Sequence, residues 1–160
     1  MQPDVQIFTF QLPGLEETFA LTLPEVLSVV DSPAVTPVPF VPPAVMGVCV
    51  WQQRLLCMLE LAALVSPAAA PSPVWSGHAV VTQFMLGPNR EVVAWPVKPG
   101  AVVRTLPAQA PTAPIPEHLN GALVHAALLH DGLDPVYLLR LDNLKTVLTG
   151  SAAIQVGTLR

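Results

Sequence analysis

Residues 45–64, VMGVCVWQQRLLCMLELAAL, constrain the fold more than any other stretch of this chain. Val45 to Trp51 is almost wholly apolar, the composition of a strand buried on both faces. Gln52, Gln53 and Arg54 interrupt the run, and Leu55 to Leu59 resumes it. Glu60 to Leu64 is made of helix-forming residues, with Leu61 and Leu64 on one face. The stretch predicts a buried hairpin with Gln52, Gln53 and Arg54 at a polar tip, followed by a short helical turn. Such a tip is suited to touching another protein, and no catalytic machinery accompanies it.

The flanking segments follow the same pattern of short apolar runs cut by turns. Gln6 to Leu12 alternates, with Ile7, Thr9 and Gln11 on one side and Phe8, Phe10 and Leu12 on the other, as a strand would. Pro13-Gly14 is a turn signal, and Thr18 to Leu23 predicts a second strand with Phe19, Leu21 and Leu23 sharing a face. Pro24-Glu25 suits the start of a helical turn. Val26 to Val30 is mostly apolar and leads into a proline-rich run ending at Pro43. Ala79 to Leu86 and Glu91 to Val97 predict two strands joined at Gly87-Pro88-Asn89, with Pro96 marking an edge or a bulge. Ala101 to Leu106 predicts a further strand, closed by Pro107 and a second proline-rich loop to Pro116. Leu119 to Leu129 reads as a strand that turns at His130-Asp131-Gly132 and returns through Val136 to Leu141. Asp142 to Leu148 predicts a short helix stopped near Gly150. About nine or ten short strands with frequent turns make the chain mainly β, in the pattern of small barrels or a sandwich.

A chain of 160 residues is long enough for one domain, or for two small subdomains sharing a core. Composition shifts to Pro, Ala and Ser over residues 66–77, which predicts a linker between halves at 6–65 and 78–148, with 149–160 as a tail. Apolar residues make up 52% and charged residues 11%, the opposite of a disordered chain, leaving neutral surface for partners. A formal charge of −4 and seven Lys and Arg cannot neutralise a phosphate track, so nucleic acid is excluded. Ser32 to Gln53 carries no charge, but Pro33, Pro37, Pro39, Pro42 and Pro43 exclude a lipid-spanning helix there. Met1-Gln2-Pro3-Asp4 has neither the basic nor the apolar region of a signal peptide, so the expectation is a cytoplasmic protein without membrane insertion.

The chemical inventory is sparse. His78, His118, His125 and His130 fall at no metal-ligand spacing, and neither CxxC nor HExxH occurs. No glycine-rich phosphate loop exists. A three-residue loop at Gln52-Gln53-Arg54 would set Cys49 opposite Cys57, roughly 4.5–5.5 Å apart at Cα and within reach of a disulfide. A two-residue loop would shift the register and remove that pairing. Two reduced, buried thiols are the expectation in the cytosol. A small cysteine-dependent hydrolase would need one of these thiols as thiolate, which their apolar runs disfavour. No catalytic residue, cofactor or metal is therefore expected. Trp51, Trp75 and Trp95 can serve core or contact; Trp95, inside a strand, reads as core, and Trp51, beside the tip, as a contact residue.

In order and spacing the segments resemble the CheW-like family of bacterial chemotaxis adaptors, from about Ile7 to Leu148. The resemblance rests on IFTFQL, on TFALTLPEVLSVV, on the prolines before Val45-Met46-Gly47-Val48, and on the central hairpin ending in Met58-Leu59-Glu60-Leu61. Val92 to Trp95, Leu119-Asn120-Gly121 and Val136-Tyr137-Leu138-Leu139 resemble the later family strands. It implies two SH3-like β-barrels packed together, no enzymatic activity, and partners in a histidine kinase regulatory domain and a chemoreceptor tip received in a groove between the barrels. It further implies that Val26, Ser28, Trp51, Gln52, Gln53 and Arg54 bind partners, and that Gly47 and Leu61 are structural. The pathway would be flagellar chemotaxis or a type IV pilus system; a CheW-fold assembly factor without kinase coupling is the alternative. The chain departs from the family at the tip, where Leu-Arg-Gly is usual and Trp51-Gln52-Gln53 stands. It also has Ser28 where Glu is frequent, Cys57 where Pro is, and Lys98 where Asp is. Gln52 lacks the fork of donors an arginine offers a carboxylate, and Arg54 is the candidate substitute.

Overall fold

A computed structural model describes residues 3–68, 77–129 and 134–148. The expected turn at His130-Asp131-Gly132, the stop at Gly150, the tail and most of the linker, Trp75 included, lie outside them. The alternating N-terminal runs form β1 (Val5–Gln11) and β2 (Thr18–Thr22). A 3₁₀ turn, Leu23–Glu25, follows with Pro24 inside it; the Glu25 carboxylate accepts from the Thr22 N–H (3.0 Å) and hydroxyl (2.7 Å), closing that turn. Next come β3 (Val26–Asp31), β4 (Val45–Trp51), β5 (Arg54–Leu59) and the helical turn α1 (Leu61–Val65). The second part holds β6 (His78–Leu86), β7 (Asn89–Val97), β8 (Val102–Leu106), β9 (Thr112–Ala113), β10 (Val124–Leu128) and β11 (Val136–Leu139). A 3₁₀ turn, Leu141–Asn143, leads into helical residues 144–148.

The strands form two sheets, one ordered β8-β1-β2-β11-β10-β9 and the other β3-β6-β7-β5-β4. Pairing is antiparallel except at β2–β11 and β5–β7. Phe8, Phe10, Phe19, Leu21, Tyr137 and Leu139 of the first sheet meet Leu59, Val80, Trp95 and Val97 of the second, with α1 in the same main core. Phe10 and Trp95 touch across the layers with centroids 6.2 Å apart. Each sheet also has a smaller cluster on its other face: Ile7, Ala20, Leu106 and Val136 in one, Cys49, Leu56, Met58, Ala79, Val81 and Ala94 in the other. That two-sided burial explains why strands this short are so apolar. Asn120 fastens the C-terminal end of α1: its N–H donates to the Val65 carbonyl (2.6 Å) and its Nδ2 to that of Leu64 (3.3 Å).

Four expectations differ from what the fold shows. The sheets do not divide at residues 66–77: β3 to β7 make one, while β1 and β2 join β8 to β11 in the other. Composition marks a loop, not which strands pair across it. β4 is not buried on both faces; it is the edge of its sheet, and Val50 is 67% exposed. Of Leu119 to Leu129 only Val124–Leu128 is a strand, because Asn120 turns the chain, its carbonyl accepting from the Leu123 and Val124 N–H groups. Pro96 lies in β7, an interior strand, but β5 pairs with β7 only at Cys57–Val93 and Met58–Ala94. By Pro96 that side of β7 has no ladder left to donate to.

Gly47 meets a different constraint. The Thr36 N–H and carbonyl both bond Val48 (2.8 and 2.9 Å), bringing Thr36 backbone against β4. A Cβ on Gly47 would sit 2.2 Å from the Thr36 carbonyl oxygen, and φ there is +148°. Glycine is required at this approach, the structural role the resemblance implied.

Candidate functional site

The β4–β5 hairpin closes with a two-residue turn. Gln52 and Gln53 have φ of +47° and +64°, the doubly left-handed pattern whose twist matches the flanking strands. Its register opposes Trp51 to Arg54, Val50 to Leu55, Cys49 to Leu56 and Val48 to Cys57. Arg54 is thus the first residue of β5 and not part of the loop, which changes one expectation; of the two loop lengths open from the sequence the two-residue one forms, so Cys49 does not face Cys57. Both thiols are free. Burial pushes each one up, and for Cys57 the neighbouring Cys49 adds to the effect. That direction starves a nucleophile of thiolate.

The tip is not purely polar. Val50 and Leu55, a cross-strand pair, are 67% and 73% exposed. Sequence reasoning missed them because an apolar run gives no sign that a strand extends past the sheet that covers it. Trp51 is half-buried, packed on the cluster of Cys49, Leu56 and Met58. The wholly exposed Phe40 marks a separate turn in the proline-rich run.

Val26 and Ser28 lie on β3, where a bulge at Leu27 shifts the pairing from Val26–Thr82 to Ser28–Val81. Val26 leans on the main core and Ser28 is half-buried, while Leu27 and Val29 stand exposed. β3 and β4 are opposite edges of one sheet, four strand spacings apart. Along the sheet that is roughly 19 Å. The fold thus splits the six expected contact residues into two sites: Val26 with Ser28, and Trp51 to Arg54. Lys98, a departure from the family, acts locally. Its ammonium donates to the Leu15 carbonyl at 2.7 Å and steadies the β1–β2 turn.

Between the sheets runs a groove of about 440 Å³. One wall is the β6–β7 hairpin, with Gln83, Phe84, Met85 and Arg90; the other is the end of β11 and its 3₁₀ turn, Leu138 to Asp142. Thr22, Pro24 and Glu25 line it from below β3, and His125 from β10. The Gln83 amide donates to the Pro24 carbonyl at 3.0 Å, and Val26 directly follows this wall. Arg140 Nε lies 3.4 Å from an Asp142 carboxylate oxygen. No sequence signal pointed to Arg90, His125 and Arg140 as neighbours, since the pairing of β10 with β11 sets His125 near Arg140 and the packing of the two sheets brings Arg90 of β7 to the same groove.

Among the described residues no group of His, Cys, Asp and Glu is placed to hold a metal ion, and no helix is long and apolar enough to cross a membrane. A family model described as a CheW-like domain matches residues 6–147. No curated protein sequence matches the chain. The crystal structure of the scaffolding protein TtCheW from Thermoanaerobacter tengcongensis is similar, with a TM-score of 0.69 at 18% identity, covering 90% of this chain and 89% of that one. At that identity the likeness is one of fold: two packed β subdomains.

Proposed function

This chain belongs to the CheW-like domain family, and from that premise we propose that it is a non-enzymatic adaptor coupling a chemoreceptor to a histidine kinase in the cytoplasm. The pathway is a chemotaxis-like or type IV pilus system. The observation that supports the reading is that the residues expected to touch partners fall on opposite edges of one sheet, Val26 and Ser28 on one and Trp51 to Arg54 on the other. Two partners can occupy opposite edges at once, which coupling demands. On the hairpin, the exposed Val50 and Leu55 supply apolar area and Gln52, Gln53 and Arg54 a polar rim, the usual division within a contact surface.

The test is binding of the full-length chain to the kinase regulatory domain of its own organism. Trp51→Ala and Arg54→Glu should each weaken binding about fivefold or more with an unchanged circular dichroism spectrum. Full affinity in both variants would remove the hairpin from the interface. Gln52, standing where the family usually has arginine, favours a second reading: a CheW-fold assembly factor without kinase coupling. That reading predicts association with receptor and none with kinase.

A further inference from the structure

The two sheets end in the edge strands β3, β4, β8 and β9, and all but β8 are blunted against further pairing. β3 carries the bulge at Leu27, β4 is bridged by Thr36 at Val48, and β9 is only Thr112–Ala113. β8 has none of these devices. It pairs with β1 from Val102–Thr9 to Leu106–Val5 without a shift in register, and it holds no proline. Among the described residues no strand pairs with its other side. Val102, Val103, Arg104 and Thr105 are all exposed, so the edge is open on both faces of the sheet. Val102 and Val103 alternate between those faces, 45% and 52% exposed, and a strand laid along β8 would cover both. Arg104 is the only charged residue of the strand.

We propose that β8 is a self-association edge, which adds to the β8 of a second copy as an antiparallel strand about a two-fold axis. Strand addition draws on open backbone donors and acceptors for affinity and on flanking side chains for fit. The fit here is to the strand's own sequence. A two-fold axis through an antiparallel pair sets one residue opposite its own copy. With Val103 on the axis, valine meets valine, Val102 meets Arg104 and Ala101 meets Thr105. With Arg104 on the axis, two guanidinium groups would stand opposed, which is destabilising. With Thr105 there, Val103 would meet Pro107, which has no N–H to donate. The Val103 register avoids both faults and joins the two six-stranded sheets into one. The proposal goes beyond the adaptor reading and does not depend on it. β8 belongs to the sheet that carries neither proposed partner edge, so the pair leaves Val26, Ser28 and the hairpin free. A single strand edge buries less than a standard interface of about 1,600 Å², so the dimer should dissociate in the micromolar range or above.

The experiment is sedimentation velocity of the full-length chain over a concentration series. The unaltered chain should pass from monomer to dimer as concentration rises. Because each copy carries −4, added salt should favour the dimer. Val103→Lys sets two ammonium groups face to face on the axis and should weaken the dimer about tenfold or more. Val103→Thr, β-branched and neutral, should stay within about threefold. Both changes fall at an exposed position, and an unchanged circular dichroism spectrum checks that each variant is folded. A second measurement fixes the register. Val103→Cys should be trapped as a covalent dimer by a mild oxidant, since opposed strand residues lie about 4.5–5.5 Å apart at Cα. Arg104→Cys, two residues out of step with its own copy, should be trapped far less, as should the unaltered chain, in which Cys49 is buried and Cys57 half-buried. A chain that stays monomeric at every concentration overturns the proposal. So does a dimer that Val103→Lys leaves intact, or one in which Arg104→Cys cross-links as readily as Val103→Cys.

Discussion

Gln52 and Gln53 occupy backbone that favours glycine and asparagine, so each side chain there carries a conformational cost. Gln53 stands where the family usually has glycine. Gln53→Gly should therefore raise stability by about 0.5–1 kcal/mol, read as a higher urea midpoint with unchanged slope. A lower midpoint would mean that the Gln53 side chain makes a stabilising contact. Glu17 offers a second case. Burial alone would raise its carboxyl, but the hydrogen bond and charge of His118, with nearby backbone N–H donors, outweigh it and hold the group below the ordinary 4.5. A carboxyl lowered on folding stabilises above its unfolded value, and that contribution is lost as pH falls below about 4.5 toward the folded value. Because His118 is half exposed, the pair should contribute only about 0.5 kcal/mol. Glu17→Gln should lower the neutral-pH midpoint by that much and flatten the acid limb of a stability-against-pH curve. An unchanged acid limb would show that Glu17 takes no part in it. Gln53 was legible as a tip residue, but the Glu17–His118 pair was not, because its members are far apart in the chain until the loop carrying His118 folds onto Glu17.

At the level of elements, most strands were legible because alternation and turn chemistry are local. β1, β2, β5 and the 3₁₀ turn at Pro24 sit within a residue or two of their expected places. What local pattern cannot encode is whether a neighbour exists. β4 and β5 share an apolar composition, yet β4 is an edge that, among the described residues, is bridged on its outer side by Thr36 at Val48. Gly47 permits that crossing. Gly47→Ala should cost more than about 2 kcal/mol, since its Cβ would strike backbone rather than a side chain able to move. Faster hydrogen exchange at the Val48 amide should accompany the loss. A loss below about 0.5 kcal/mol would mean that the Thr36 segment moves freely.

For the whole molecule, the main core is shared: Phe10 and Phe19 on one sheet, Trp95 and Val80 on the other. Neither sheet can keep that face dry alone. Unfolding should be a single transition, with far-ultraviolet circular dichroism and the fluorescence of the fully buried Trp95 changing together. Two separated transitions would show that the subdomains are independently stable. The mainly β class and the family were readable from the order of segments. The partition of strands was not, because pairing of β1 with β8 joins residues such as Thr9 and Val102 that no local signal connects. For the same reason the groove between the sheets was invisible in the sequence while the hairpin residues were not.

That partition has a bearing on synthesis. β3 to β7 leave the ribosome as one uninterrupted block and can zip together at once, whereas β1 and β2, made first, must wait for β8 and β11 before their sheet exists. Until then only the β1–β2 hairpin, with Phe10 and Phe19, is at hand to cover Trp95 and Val80, so the nascent protein should pass through a stage with part of its core face open.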